Sequence, residues 1–300
     1  MTLAYLFPGQ SGQGADALRN ALQQDAARSI LSDLARVIGL SAEDLLAGPE
    51  ERLFENAIAQ PLVCALELAG AALLAEHAPE VGAGYSIGEL AAYGVAGALA
   101  PHDVLRLARL RAEAMDAATT AAPGMAAVRG VLLTELEPCL SEGAFIAIRN
   151  GADRCVLAGL AEAVAESGAR AERRGATVTP LAVRVASHTP LMAEAVPVFR
   201  KALEAADFRT PTVRVLAGID GSPVLSRERA IDTLSRQLAE PVDWAACMNG
   251  LEEAGVTRAL ELPPGSALTR MLRDAVPIPA RAMAEFRSAA GVAAWLERQI

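Results

Sequence analysis

Short apolar runs alternate with helix-forming stretches along most of this chain. Residues 3–7 (LAYLF) stop at Pro8-Gly9, which predicts a buried strand that enters a loop, and residues 81–85 (VGAGY) form a second candidate strand. Helical patterns follow both runs, and strands and helices alternate again from residue 189 to residue 274. This alternation predicts an α/β fold, in which helices cover both faces of a parallel sheet.

The pattern changes at Pro123. Residues 124–186 contain four β-like runs, with one helical stretch after the first and another after the third. The order strand–helix–strand–strand–helix–strand is typical of a ferredoxin-like fold. We therefore expect a large catalytic domain of residues 1–123 and 187–300, with an α/β-hydrolase-like core, and a small inserted ferredoxin-like α+β subdomain of residues 124–186.

One apolar run, residues 57–75, is long enough to cross a membrane. A carboxylate near its middle, Glu67, favours a buried helix instead, with Pro61 in the first turn and the end at Glu76. The N-terminus contains no basic segment and no cleavage site, so no secretory signal is predicted. We expect a cytoplasmic protein that does not interact with membranes.

Composition narrows the possible chemistry. The net charge is −9, from 27 Lys plus Arg against 36 Asp plus Glu, and so acidic a protein is a poor partner for nucleic acid. The four cysteines form no C-x-x-C pair and lie in apolar runs, as buried thiols in a reducing compartment do. Neither a metal site nor a bound cofactor is predicted.

The segment Gly84-Tyr-Ser-Ile-Gly88 matches the G-x-S-x-G pattern of a nucleophile elbow, and it lies between a predicted strand and a predicted helix. Such a turn exposes the serine oxygen of Ser86 at a helix N-terminus, where the backbone N–H of Ile87 can stabilise an oxyanion. A structural turn is the simpler alternative, because short Gly/Ser strings are common.

A serine nucleophile needs a base, and the chain has only three histidines. His77 ends a predicted helix and His102 begins one, where a capping or solvated role is expected. His188 follows a predicted strand, in the kind of loop where α/β proteins place catalytic side chains, and is the favoured base. Asp220, in an Asp-Gly pair, leaves open a patatin-like Ser–Asp acyl hydrolase, although a plain turn is the favoured explanation of that pair.

Seven ordered segments give the chain a resemblance to the malonyl-CoA:acyl carrier protein transacylases, and together they are far more specific than any one of them. Departures from the family pattern include Ser11-Gly12 in reversed order and Pro263 in place of a glycine. The matching segments are residues 7–13 (FPGQSGQ), 84–90 (GYSIGEL), 110–111 (LR), 124–127 (GMAA), 187–192 (SHTPLM), 236–244 (RQLAEPVDW) and 261–265 (ELPPG).

The resemblance implies a role for each matched residue. Ser86 would accept the acyl group and His188 would act as its general base. Gln237, together with backbone groups, would hold the imidazole in place of a carboxylate. Gln10 and the N–H of Ile87 would form the oxyanion hole.

The resemblance also implies the substrates. Arg111 would bind the carboxylate of a malonyl group, since a guanidinium pairs with a carboxylate through two parallel hydrogen bonds. The acyl group would pass from malonyl-CoA to the prosthetic-group thiol of a carrier protein, with no bound cofactor. Most arginines on this helix, including Arg106 and Arg109, are expected to be exposed surface residues.

Two features indicate a subfamily. Tyr85 replaces the histidine that usually precedes the nucleophile, and residues 286–296 (FRSAAGVAAWL) resemble the tail of the malonate decarboxylase epsilon subunit. This resemblance implies a carrier subunit with a phosphoribosyl-dephospho-CoA arm and further decarboxylase subunits as partners. A transacylase of fatty-acid or polyketide synthesis, and a carrier-docking module without activity, are the alternatives.

Overall fold

The computed structural model describes residues 2–10, 12–182 and 185–298. The strands are β1 (Leu3–Phe7), β2 (Val81–Gly84), β3 (Pro123–Arg129), β4 (Ala144–Arg149), β5 (Arg154–Leu160), β6 (Thr177–Pro180), β7 (Arg214–Leu216), β8 (Pro223–Val224), β9 (Val242–Asp243), β10 (Arg258–Glu261) and β11 (Ala280–Ala282). The α-helices are α1 (Ala15–Leu22), α2 (Arg28–Ile38), α3 (Ala42–Ala47), α4 (Asn56–Ala72), α5 (Gly88–Val95), α6 (Pro101–Ala118), α7 (Leu133–Leu136), α8 (Ala161–Glu172), α9 (Ala195–Ala205), α10 (Arg227–Arg236), α11 (Trp244–Glu253), α12 (Ala267–Ala275) and α13 (Ala289–Glu297).

The larger sheet has the strand order β11-β10-β1-β2-β7-β8. All neighbouring strands are parallel except β7 and β8. Every residue of β1 and β2 is buried, as expected when helices cover both faces of a parallel sheet. The prediction of an α/β fold with a largely parallel sheet is confirmed. The carboxyl ends of β1 and β2 lie side by side and lead into the loop of Gln10 and the turn of Ser86.

The smaller sheet has the order β6-β3-β5-β4-β9. Its first four strands are antiparallel and come from the segment in which the sequence predicts four strands and two helices. The fifth strand, β9, comes from much later in the chain and pairs in parallel with β4. The polypeptide between α10 and α11 therefore belongs to both halves of the molecule.

Apolar side chains fill three spaces. One cluster lies between the larger sheet and the helices α2, α4, α5, α6 and α9. A second cluster joins the two sheets and includes Leu6, Val156 and Trp244, and a third lies between the smaller sheet and α8. The second cluster packs the smaller sheet against the larger one.

Helix α4 differs from its prediction. It begins at Asn56 and ends at Ala72, so Pro61 lies inside the helix and not in its first turn. The proline removes one backbone donor, but every residue from Ile58 to Gly70 is buried, and tertiary packing overrides the propensity. Within the described residues, no helix is both long and apolar enough to cross a membrane.

Candidate active site

The turn between β2 and α5 has the geometry of a nucleophile elbow. Ser86 has a φ of 57°, in the left-handed region that non-glycine residues seldom adopt. A Cβ atom at Gly84 would lie 2.1 Å from the backbone nitrogen of Glu89, and one at Gly88 would lie 2.2 Å from the carbonyl oxygen of Phe7. Both glycines are therefore required for helix α5 to pack against the strand ends so closely.

Ser86 and His188 form a hydrogen-bonded pair. The Oγ of Ser86 lies 2.7 Å from Nε2 of His188, while Nδ1 of His188 lies 2.6 Å from the backbone oxygen of Gln237. A carbonyl oxygen can only accept, so Nδ1 carries the proton and Nε2 is left to accept from the serine hydroxyl. Burial, and secondarily the charge of Arg111, lower the pKa of His188 to about 3. The imidazole is thus neutral at pH 7, as a general base must be.

The other candidate partners of Ser86 lie elsewhere. His77 faces Glu297 at 3.4 Å, and His102 lies 4.0 Å from Asp33. The carboxylate of Asp220 accepts from the backbone N–H and hydroxyl of Ser222 and pairs with Arg229 at 2.5 Å. Asp220 therefore stabilises its own turn, and the geometry favours His188 over a Ser–Asp dyad.

Arg111 is a buried cation next to the nucleophile. Its side chain is 3% exposed, its Nη1 donates to Oε1 of Gln60 at 2.7 Å, and its Nη2 lies 3.5 Å from Oγ of Ser86 and from Oε1 of Gln237. Burial lowers the pKa of Arg111 to about 10, so it keeps its charge at pH 7. Among the described residues no carboxylate forms an ion pair with it. Such a cation is poised to bind an anionic group of a substrate.

The neighbouring arginines of α6 are different. Arg106 pairs with Asp103, and Arg109 pairs with Glu113, each within a turn of the same helix and partly in solvent. Surface pairs of this kind contribute ~0–1 kcal/mol and indicate no ligand. Arg111 alone among the three is aimed at the serine.

The predicted oxyanion donors lie at the edge of this site. The backbone N–H of Ile87 makes no hydrogen bond within the described ranges and belongs to the N-terminal end of α5. The side-chain nitrogen of Gln10 lies 3.2 Å from Oδ1 of Asn56, which also accepts from Gln60. This chain of amides connects Gln10 to Arg111, while Ser11 lies outside the described residues. The role of both oxyanion donors stays a prediction.

Comparison with known proteins identifies the family. The acyl transferase domain family matches residues 4–294. The malonyl CoA-acyl carrier protein transacylase of Mycobacterium tuberculosis is 36% identical over 290 residues, covering 94% of this chain and 96% of the relative. The protein of the same name from Synechocystis is 30% identical over 285 residues, covering 92% and 94%. The chain belongs to the malonyl-CoA:acyl carrier protein transacylase family. It is therefore an acyltransferase.

Solved structures agree with this family. The crystal structure of MCAT from Mycobacterium tuberculosis has a TM-score of 0.90 and 34% identity, covering 99% of this chain and 100% of that one. A type II PKS acyl-carrier protein in complex with its malonyl-transacylase gives a TM-score of 0.91 and 29% identity over the full length of both chains. This acyltransferase thus shares its whole fold with those enzymes.

Two residues of the site were not predicted from the sequence. Gln60 is buried and contacts Arg111, and Glu89 is buried and accepts a hydrogen bond from the side chain of Gln237. The available signal was a polar residue inside an otherwise apolar helical run, as in GELAAYGV for Glu89. Gln237, predicted to hold the imidazole, does so through its backbone oxygen, and its side chain points to other partners.

No metal site accompanies these residues. Within the described parts of the chain, no group of three or more His, Cys, Asp or Glu side chains is arranged to hold a metal ion. The four cysteines are buried and free.

Proposed function

We propose that this acyltransferase is a malonyl-CoA:acyl carrier protein transacylase that works through a malonyl ester of Ser86. The observation that carries the proposal is the hydrogen-bonded pair of Ser86 and neutral His188 beside the buried Arg111, which forms an ion pair with no carboxylate of the described residues. The pair supplies an activated nucleophile, and the guanidinium supplies a site for the free carboxylate of malonate. The names of the relatives, malonyl CoA-acyl carrier protein transacylases, support the same substrates.

Acylation would begin when Oγ of Ser86 attacks the thioester carbonyl and gives its proton to Nε2 of His188. The resulting oxyanion would be stabilised by the N–H of Ile87 and the side chain of Gln10, and one such donor is worth about 10²–10³ in rate. The imidazolium is stabilised in turn by the carbonyl of Gln237. Collapse of the intermediate breaks the C–S bond, and His188 returns the proton to the CoA sulfur.

Transfer to the acceptor would reverse these steps. The thiol of the carrier's prosthetic arm gives its proton to His188 and attacks the ester carbonyl of malonyl-Ser86. The same oxyanion hole stabilises the second tetrahedral intermediate, and Ser86 recovers its proton as it leaves. No redox partner or metal is needed for the balance of either half-reaction.

Arg111 should determine the preference for malonyl over uncharged acyl groups. Replacing Arg111 with alanine is expected to lower malonyl transfer relative to acetyl transfer by about 10- to 150-fold, because a hydrogen bond to a charged group is worth roughly 1.5–3 kcal/mol. Competition between malonyl-CoA and acetyl-CoA, read by mass spectrometry of the acylated protein, measures the ratio. Arg109→Ala on the same helix is the control, and an unchanged ratio in Arg111→Ala would remove Arg111 from the acyl site.

The structure bears on the choice of acceptor. Tyr85 packs edge-on against Trp244, with ring centroids 5.5 Å apart, and in the tail Trp295 packs against Phe286 and Arg258. Packing within this chain thus accounts for both features that indicate a malonate decarboxylase subunit. The relatives named above instead favour an acyl carrier protein as the acceptor, and a decarboxylase carrier remains the second candidate.

A competition assay distinguishes the acceptors. Holo acyl carrier protein and the holo carrier of malonate decarboxylase are offered at equal concentration with limiting labelled malonyl-CoA. We expect most of the label on the acyl carrier protein, and a majority on the decarboxylase carrier would reverse the choice. Label lost only to water would indicate a hydrolase, and absence of label from Ser86 would indicate a docking module without activity.

We also infer that the chain consists of a catalytic domain and a smaller inserted subdomain. The strand order β6-β3-β5-β4 and its intervening helices support a ferredoxin-like subdomain at residues 124–186. Residues 1–123 and 187–300 would form the α/β-hydrolase-like catalytic domain, which supplies all the site residues discussed above. Tyr85, next to the proposed nucleophile, packs against the apolar cluster that joins the two sheets, so the smaller unit would lie close to the site.

A further inference from the structure

Glu89 is a buried carboxyl group close to the active site that the acyl-transfer steps do not use. It lies in the first turn of α5 and is fully shielded from solvent. Burying a carboxyl group without compensation costs several kcal/mol. The hydrogen bonds of Glu89 offset this cost, and their partners therefore indicate its role.

These hydrogen bonds converge on one neighbour of the catalytic pair. The Oε2 of Glu89 accepts from Nε2 of Gln237 at 2.5 Å and from the backbone N–H of Gly218 at 2.9 Å, while Oε1 lies 3.4 Å from the hydroxyl of Tyr93. A Cβ atom at Gly218 would lie 2.7 Å from Glu89 Oε2 and 2.8 Å from Gln237 Nε2. The absence of a side chain at residue 218 is thus what allows the backbone to reach this pair.

Gln237 contacts both the proposed base, His188, and the buried cation Arg111. Its backbone oxygen accepts from Nδ1 of His188, and its side-chain oxygen lies 3.5 Å from Nη2 of Arg111. Oε2 of Glu89 also accepts from the backbone N–H of Gly218, so this oxygen acts as an acceptor toward the amide NH₂ even when the acid is protonated on Oε1. Glu89 therefore selects the orientation in which the amide oxygen faces the guanidinium. Without Glu89 the amide could rotate and turn its NH₂ group toward the cation.

We propose that Glu89 is a positioning residue that acts through Gln237. It holds both the general base His188 and Arg111, which would bind the acyl carboxylate, in place relative to Ser86. The inference rests on the proposed function, because it assigns Glu89 to the same acylation step. One buried carboxyl then sets the geometry of two groups with different tasks.

Replacing Glu89 with alanine is expected to slow acylation of Ser86 by malonyl-CoA by ~10²-fold, the loss that a displacement of about 1 Å produces at a reacting centre. It should also reduce the preference for malonyl over acetyl groups, since Arg111 loses its support. Quenched-flow mass spectrometry of acylated Ser86 measures the acylation rate and the malonyl-to-acetyl preference. Each is normalised to the amount of folded protein, as determined by circular dichroism. Glu67→Ala removes another fully buried glutamate, which has no hydrogen-bond partner among the described residues, and should acylate at the wild-type rate.

A double variant tests whether the effect passes through Gln237. Glu89→Ala combined with Gln237→Ala should be no slower than Gln237→Ala alone, because residues that act through one another are not additive. Additive losses in the double variant, a wild-type rate in Glu89→Ala, or an equal loss in Glu67→Ala would each overturn the proposal. A wild-type protein that never acquires malonyl would overturn the proposed function instead.

A variant that retains the carboxyl covers the case in which Glu89→Ala does not fold. Gly218→Ala adds one methyl group where Glu89 and Gln237 meet and should slow acylation at least ~10-fold by displacing both. Acylation at the wild-type rate in folded Gly218→Ala would count against a positioning role.

The pH profile gives a readout that a purely structural role would not move. The charged and titratable groups that influence Glu89 are Arg111, Asp220, Cys247 and Tyr93, and burial raises its pKa to about 8. Below that pH the protonated acid keeps its hydrogen bonds, so Glu89→Gln should match the wild type. Above it, ionised Glu89 makes His188 a stronger base, so acylation should rise in the wild type and not in Glu89→Gln. Identical profiles would contradict the proposed coupling of Glu89 to His188 through Gln237.

Discussion

Replacing Ser86 with alanine is expected to abolish formation of the acyl-enzyme. The left-handed turn between β2 and α5 presents only this hydroxyl to Nε2 of His188, and an alanine methyl group cannot form the ester. Incubation with malonyl-CoA followed by intact-protein mass spectrometry measures the adduct. Ser222→Ala, in an exposed turn, is the matched control and should acquire malonyl as the wild type does.

The assignment of the nucleophile depends on this result. A malonyl adduct that persists on Ser86→Ala would falsify it, because the ester would then form on another residue. Peptide mapping of the wild-type adduct should in addition place the malonyl group within residues 84–90.

Replacing His188 with alanine is expected to slow acylation by ~10²–10⁴, the usual contribution of a general base. Because burial lowers the pKa of His188 to about 3, the base stays neutral as the pH falls through 6.5, where an exposed histidine would gain a proton. Single-turnover acylation rates from pH 5 to pH 8 measure both the loss and the absence of a step near pH 6.5.

The two remaining histidines are natural controls for this prediction. His77→Ala and His102→Ala each remove an imidazole that lies against a carboxylate outside the site, Glu297 and Asp33 respectively, and neither should change acylation. A larger loss in His102→Ala than in His188→Ala would show that the wrong histidine is identified as the base.

Local patterns were sufficient for the parts of the site that depend on local geometry. The two glycines around Ser86 predict the sharp turn, because no side chain fits at either position. The single histidine that follows a predicted strand is the one that reaches the serine. The alternation of strands and helices was likewise enough to predict the main sheet, since period and turn residues are read within a few positions.

Contacts between distant segments could not be predicted in this way. Glu89 and Gln237 are 148 positions apart, and nothing near either residue indicates their pairing. The start of α4 was predicted wrongly from Pro61, which lies inside the helix. Burial on all sides of the helix outweighs the local preference of proline for a first turn. Strand β9 of the smaller sheet is two residues long and arrives from outside the segment that forms the rest of it, so its pattern is too short to recognise.

Both members of the hydrogen-bonded Ser86–His188 pair have left-handed backbones, with φ of 57° at Ser86 and 63° at His188. For a residue with a side chain this conformation costs about 1–2 kcal/mol, so the two positions together remove a sizeable fraction of the ~5–15 kcal/mol by which a domain is stable. Glycine at either position would relieve that cost but would remove a side chain that the proposed mechanism uses. Selection for thermal stability alone would therefore act against the two residues on which the proposed acyl transfer depends.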